Sequence, residues 1–168
     1  MATENLHNHE ALQKLKEMVD DIDVGMFCTF TNDSVHPHAV PMSRQEVCDQ
    51  GNIWYLCSSD SQTFQNLSRE KRVSVLFSKP GDYRFLAVNG TVETSQDQAR
   101  IDKYWNRMME AWFEKGKDDP RIRILKLTPD EAYYWDTNGN KLNTLFKMAA
   151  AAITGETTDM GKEGELSI

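Results

Sequence analysis

The sequence lacks any apolar run close to the roughly 20 residues that a membrane-spanning helix needs. Its first ten residues, MATENLHNHE, are polar and acidic, unlike a signal or transit peptide. It has only 3 cysteines and no Cys-x-x-Cys spacing, so we expect no disulfide framework. These absences favour a cytoplasmic protein, and the length of 168 residues favours one domain that spans residues 1–168.

Positive charge is scarce and scattered along the chain. The 19 lysines and arginines are outnumbered by 26 aspartates and glutamates, which gives a formal net charge of −7. The local basic cluster of Arg69, Lys71 and Arg72 is interrupted by Glu70. Nucleic acids and anionic membranes are bound through clustered positive charge, so neither is an expected partner.

Motifs for catalysis by the protein's own side chains are also missing. The sequence has no Ser-His-Asp signature, P-loop, G-x-G-x-x-G or H-E-x-x-H pattern. His36 and His38 would share one face of a strand, as two metal ligands do, but no third ligand is indicated. We therefore expect no metal site, leave the catalytic residues unassigned, and expect any chemistry to come from a bound cofactor.

What the sequence does contain is a series of short strand patterns separated by turn signals. Apolar residues at helical spacing predict a first helix over His9–Ile22, ended by Gly25. Pro37 and Pro41 cannot donate ladder hydrogen bonds, so the strand Ser34–Ser43 is expected to be an edge strand or to be bulged. The other predicted strands are Met26–Thr31, Ile53–Cys57, Val73–Phe77, Tyr83–Thr94 and one around Ile122–Leu127, followed by an element beginning at Ala132–Trp135.

Two later helices complete the predicted elements. They span Asp97–Lys115, where Trp105 and Trp112 would face one way, and Leu142–Ile153. The polar, glycine-rich tail, residues 156–168, is expected to be disordered. Together the patterns indicate a mainly β (α+β) fold: an antiparallel barrel or sheet with peripheral helices.

The segment Asn52–Ser78 is the most informative part of the chain. A buried strand is followed by the turn Ser58-Ser59-Asp60-Ser61, and Phe64 and Leu67 then form the apolar stripe of a short helix. The free N–H groups of a first helical turn favour a phosphate, whereas serines there more often only cap the helix. From these residues alone both interpretations stay open, with Asp60 as the predicted N-cap.

Taken along its whole length, the chain resembles the FMN-binding split barrels related to pyridoxamine 5′-phosphate oxidase, in particular their general stress protein branch. The resemblance covers roughly residues 12–155 and rests on the order of the pieces MFCTF, HPHAVPM, IWYLCSSDSQTFQNL, VSVLFS, FLAVNGTVE and YYWD. It implies a six-stranded antiparallel split β-barrel with its core at about residues 12–155. It also implies a homodimer with FMN at the interface.

The same resemblance implies a cofactor site. Along the flavin lie the strand residues His38, Val40, Pro41, Met42 and Ser43, while Leu56 and Cys57 border its ring. The turn Ser61, Gln62 and Thr63, here named the cradle turn, holds the phosphate. Gly90, Trp112 and Trp135 approach the flavin from elsewhere in the dimer.

The cradle turn departs from the family pattern in its charge. Relatives commonly have a lysine at the position of Thr63 and an arginine near His38 or Ala39. Charge-assisted hydrogen bonds to phosphate are therefore missing, unless Lys79 or Arg84 supplies them. Three hypotheses follow: a flavin-dependent oxidoreductase or flavin carrier, a non-catalytic dimeric module that has lost the cofactor, and a protein for another flavin-like or tetrapyrrole ligand.

Overall fold

The structure is a computed structural model that describes residues 1–31, 35–137 and 161–168. The described strands are β1 (Ala2–Thr3), β2 (Leu6–His7), β3 (Val24–Thr29), β4 (His38–Ser43), β5 (Glu46–Val47), β6 (Ile53–Ser58), β7 (Arg72–Lys79), β8 (Arg84–Ser95), β9 (Ile122–Asp136) and β10 (Lys162–Ser167). The α-helices are α1 (Asn8–Asp21), α2 (Gln62–Leu67) and α3 (Gln98–Tyr104), and 3₁₀ turns span Pro80–Asp82, Arg107–Ala111 and Gly116–Asp118. The helix predicted at Leu142–Ile153 lies outside the described residues.

All ten described strands belong to one sheet, in the order β1-β10-β9-β8-β7-β3-β4. β6 joins it by pairing with β9, and β5 pairs with β6. The pairing is antiparallel except where β1 and β2 run parallel to β10. The mainly β fold with a few helices is confirmed, but the six-stranded split barrel is not, because the sheet contains ten strands.

The main core lies on the inner face of the sheet, where apolar residues alternate along each strand. Phe27, Val75 and Val88 share one row across β3, β7 and β8, and all three are fully buried. α1 covers this face with Leu15, Met18 and Val19, as the helical spacing predicted.

α1 ends earlier than expected, and Gly25 does not cap it. The helix stops at Asp21, and Arg44 binds its last turn by donating from Nε to the carbonyl oxygen of Val19 at 2.7 Å. Gly25 lies inside β3, where a Cβ would come within 2.9 Å of Cγ1 of Val75. The absence of a side chain at Gly25 therefore allows close packing in β3 and does not serve to end α1.

The prediction of one long helix over Asp97–Lys115 is wrong. α3 ends at Tyr104, and Oδ1 of Asn106 then accepts from the N–H of Met108 at 3.0 Å. An asparagine side chain competes in this way with helical hydrogen bonds. Trp105 packs near Phe113 in a second core cluster, whereas Trp112 is 78% exposed, so the two tryptophans do not share a face.

The C-terminal tail also differs from its prediction. Residues 162–167 form β10, which pairs with β9 and the N-terminal strands, so this part is ordered. Leu166 is only 1% exposed and packs in the main core. A single apolar residue among polar neighbours gave too weak a pattern to predict this strand. Residues 156–160 lie outside the described part.

β9 continues through the region that was predicted as two elements. Its first half pairs with β6 and its second half with β10, while β8 runs along its other edge. The register shifts at Asn89 and Gly90, where Gly90 faces Pro129 and Asn89 faces Glu131. This bulge explains why the apolar pattern of β9 is interrupted without a break in the strand.

Candidate functional site

The predicted flavin strand, β4, lies at one end of the strand order, so the described chain confirms it as an edge strand. Its register with β3 places alternate residues on the two faces of the sheet. The inner face, opposite Thr29, Phe27 and Gly25, carries His38, Val40 and Met42. The outer face, opposite Met26 and Val24, carries Pro41 and Ser43.

The cradle turn is built as a helix cap, and its cap is Ser61, not Asp60. Ser61 Oγ accepts from the N–H of Phe64 at 3.2 Å and donates to the carbonyl oxygen of Ser58 at 2.6 Å. Serine competes well with aspartate at this position because its hydroxyl both donates and accepts. The hydroxyl of Ser61 is therefore already engaged within the turn.

Of the other two cradle side chains, Gln62 is exposed but bonded within α2, and Thr63 points into the protein. Nε2 of Gln62 donates to Oδ1 of Asn66 at 2.8 Å, and Thr63 is only 3% exposed. Within the described chain, the backbone N–H groups of Gln62 and Thr63 have no acceptor, as is normal in a first helical turn. The donors that remain for a ligand are thus backbone groups.

A buried chain of hydrogen bonds connects the cradle turn to the flavin strand. Beyond Gln62, Nδ2 of Asn66 donates to Oγ1 of Thr29 at 2.9 Å, and Oγ1 of Thr29 donates to the carbonyl oxygen of His38 at 3.3 Å. Thr29 and Asn66 are buried, so the chain fixes α2 relative to β4. Neither residue was predicted from the sequence, where a polar side chain within an apolar pattern is the only signal of each.

Leu56 and Cys57 lie on opposite faces of β6. Cys57 packs in the main core, and burial raises the pKa of its thiol to about 11, against the smaller lowering effects of Ser61 and Arg123. Leu56 packs against the second cluster beside Trp54. Of the two residues, only Cys57 therefore faces the same side as the cradle turn.

Arg123, which was not predicted as a site residue from the sequence, lies next to the cradle turn. Arg123 of β9 stands directly opposite Cys57, and its guanidinium carbon is 5.4 Å from the ring centroid of Phe64. The signal for it was the alternation R-I-R-I at residues 121–124, in which the arginines alternate with two buried isoleucines. That alternation predicts that both arginines point to the same face of a strand.

The two cations suggested from sequence as phosphate partners are engaged elsewhere. Nζ of Lys79 lies 2.7 Å from Oδ1 of Asp21. The guanidinium of Arg84 forms ion pairs with Asp21, Glu17 and Asp136. These pairs bind α1 to the sheet, so neither cation serves the cradle turn.

The remaining predicted residues do not join the cradle turn within one chain. Gly90 lies at the bulge, beside a cavity of about 410 Å³ that is also lined by Phe30, Glu70 and Glu131. Trp112 is exposed, and Trp135 lies on the outer sheet face with its ring centroid 4.7 Å from that of Tyr133. In the described residues, no hydrogen bond, ion pair or ring contact links these three to Ser61, Gln62 or Thr63.

Within the described ranges, no group of three or more His, Cys, Asp or Glu side chains is arranged to hold a metal ion. No helix in these ranges has the length and apolar character required to cross a membrane.

Comparison with known proteins identifies the family from which this geometry comes. The family model of pyridoxamine 5′-phosphate oxidase-like proteins matches residues 10–159. The chain belongs to the pyridoxamine 5′-phosphate oxidase-like family. This match includes β4, the cradle turn and Arg123.

Individual relatives place the chain near the general stress proteins. It is 23% identical over 130 residues to general stress protein 26 of Bacillus subtilis (strain 168), covering 75% of this chain and 89% of the relative. A proposed general stress protein 26 from Jannaschia sp. CCS1 superposes with a TM-score of 0.75 at 27% identity, covering 95% of this chain and 97% of that one. The general stress FMN/FAD binding protein of Xanthomonas citri gives a TM-score of 0.65 at 29% identity, covering 80% and 94%.

Proposed function

We propose that this protein binds FMN non-covalently and acts as a flavin-dependent oxidoreductase in the cytoplasm. The observation that carries the proposal is the hydrogen-bond chain from Gln62 to His38, which fixes the cradle turn relative to the strand that lies along the flavin in this family. A relative described as FMN/FAD binding, 29% identical to this chain, supports the same ligand. No catalytic side chain is assigned.

The residues present fit a flavin phosphate through backbone groups. The N–H groups of Gln62 and Thr63 are the donors of the cradle turn that remain available, and the backbone of β4 would lie along the ring system. Bound flavin would supply two-electron chemistry. The protein's part is to hold the flavin and to shield one face with Val40 and Met42, which pack against the main core.

We further propose that the protein acts as a homodimer. On the outer sheet face one row runs across five strands and contains Pro41, Met26, Leu76, Ala87 and Tyr133. Met26 is 42% exposed and Leu76 is 47% exposed. An apolar row of this kind on an exposed sheet face is typical of an interaction surface. Trp135, in the neighbouring row, would then reach the flavin site of the partner.

The flavin proposal is tested by adding ligands to purified protein. We expect an FMN-dependent rise in melting temperature and a quenching of flavin fluorescence on binding, with riboflavin as the comparison ligand. No rise with FMN, together with no flavin bands in the visible spectrum, would overturn it. Mass spectrometry under native conditions would reveal a tetrapyrrole or another ligand instead. Size-exclusion chromatography with light scattering tests the dimer.

A second function is favoured because the side chains of Ser61 and Gln62 already form hydrogen bonds within the protein: a dimeric module that does not bind flavin. Ser61 and Gln62 are both engaged internally, and Thr63 stands where relatives have lysine. On this account the wild type shows no FMN binding and Thr63→Lys creates it, since a lysine can extend its ammonium group to the surface. Binding by the wild type, or no gain in the variant, would count against this account.

A further inference from the structure

We propose that Arg123 supplies the positive charge that the cradle turn lacks, and that it makes the site select FMN over riboflavin. This inference rests on the proposed flavin function. It assigns the phosphate contact to β9, a part of the chain distant in sequence from the turn.

The position of Arg123 relative to the cradle turn is fixed by three relationships. Its Cα lies opposite that of Cys57 in the β6–β9 register. Its guanidinium contacts the ring of Phe64, the residue whose N–H is capped by Ser61. Side chains from β6, β9 and the turn thus meet at one end of β6, directly before α2 begins.

The guanidinium is held on one side and available on the other. Nη1 donates to the carbonyl oxygens of Pro120 at 2.7 Å and Ile122 at 2.8 Å, which fixes its orientation. Among the described residues, neither Nε nor Nη2 has an acceptor. A planar guanidinium with two donors still available matches the geometry of a phosphate oxygen pair.

Arg123 also differs from its neighbours in charge compensation. Arg121, two residues earlier, donates from Nε and Nη2 to the carboxylate of Asp119 at 3.0 and 2.8 Å, so its charge is neutralised. Arg123 forms no ion pair with any residue in the described ranges. A fixed cation without a carboxylate partner beside a turn of neutral donors is what binding of a phosphate dianion requires.

The test compares two ligands that differ only in the phosphate. FMN and riboflavin are titrated against wild type and Arg123→Gln, with binding followed by quenching of flavin fluorescence. Loss of a charge-assisted contact should raise the Kd for FMN by roughly 10- to 100-fold. The Kd for riboflavin should change by less than about twofold, because riboflavin has no phosphate.

The controls separate charge from structure. Arg69→Gln makes the same charge change at an exposed residue just after α2 and should leave both Kd values unchanged. Arg123→Lys keeps the charge but not the planar fork, so its Kd for FMN should lie between those of wild type and Arg123→Gln. If Arg123→Gln fails to fold, Arg123→Lys still decides, because losing the planar fork should weaken binding of FMN and leave that of riboflavin unchanged.

Each outcome has a separate meaning. Equal losses for both flavins would show that Arg123 only supports the structure, and an unchanged Kd for FMN would overturn this inference alone. If the wild type binds neither flavin, the proposed function fails, and this inference fails with it.

Discussion

Nη2 of Arg84 lies 3.2 Å from Oδ2 of Asp136, and this pair is buried between α1 and the sheet. Glu17 and Asp21 of α1 bind the same guanidinium, and Lys14 contacts Asp136. Burial opposes the charged form of Arg84, but its hydrogen bond to Glu17 and the nearby carboxylates outweigh this and raise its pKa. These ion pairs therefore bind α1 to the start of β8 and the end of β9.

We expect Arg84→Met to lower the free energy of unfolding by about 3 kcal/mol, because it leaves Asp136 buried with less compensation. The value should lie at the lower end of the usual range since Lys14 remains beside that carboxylate. Urea unfolding followed by circular dichroism measures it. Arg72→Met is the matched control, because Arg72 is exposed and its one ion pair within the described ranges is with nearby Glu70, so little change is expected. Similar losses in both variants would contradict a stabilising role of the buried ion pairs of Arg84.

Glu46 should make stability depend on acid pH. Hydrogen bonds, first from Lys103 and then from Tyr104, lower its pKa below the ordinary value of 4.5. The stabilisation is complete above that value and is lost as pH falls through the lower folded pKa. Between about pH 5 and 3, unfolding free energy should therefore fall less steeply in Glu46→Gln than in wild type.

The measurement for Glu46 is a series of urea unfolding curves at several pH values. Glu93→Gln, which removes an exposed carboxylate from β8, is the control and should follow the wild type. An identical pH dependence in the wild type and Glu46→Gln would show that the Lys103 and Tyr104 contacts do not stabilise the folded state.

Gly90→Ala should destabilise the protein strongly for a local reason. A Cβ at Gly90 would lie 2.2 Å from the carbonyl oxygen of Thr128, and backbone cannot move aside cheaply. We expect a loss of about 2–3 kcal/mol, at the upper end for overpacked sites. Gly81→Ala is the control, since a Cβ there meets nothing within 4 Å. A loss at Gly81 as large as that at Gly90 would refute the steric explanation.

Leu166→Ala should reveal the structural role of the C-terminal strand. Leu166 is 1% exposed in the main core, so its truncation should cost about 2–4 kcal/mol. Ser167→Ala changes the exposed neighbour and should have little effect. A thermal melt of the two variants decides the point. Equal melting temperatures would mean that β10 contributes nothing to stability.

Two elements, α1 and the edge strand β4, were predicted from the spacing of nearby residues in the sequence. The spacing of Leu15, Met18 and Val19 gave α1, and two prolines indicated that β4 is an edge strand. Gly90 was predicted within the strand Tyr83–Thr94, and it lies in β8, at a bulge. The close approach it permits, however, is to the backbone of Thr128, which only the register of β9 reveals.

The candidate site was predicted from family resemblance more than from chemistry. The cradle turn and β4 are connected by Thr29 and Asn66, which are 37 residues apart in sequence. Arg123 reaches the turn only because β9 pairs with β6. Such pairings over long sequence separations cannot be derived from spacing in one sequence. The homodimer and the cofactor remain predictions.

The pairing of β1 with β10 has a consequence for synthesis. Ala2 pairs with Lys162, so 160 residues must follow before the first strand meets its partner. At ribosomal speeds of about 5–20 residues per second, this is a delay of roughly 8–30 s. β1 therefore stays unpaired until β10 has been synthesised. Pairing over such a long sequence separation is slow, so we expect β1 and β10 to pair late in folding.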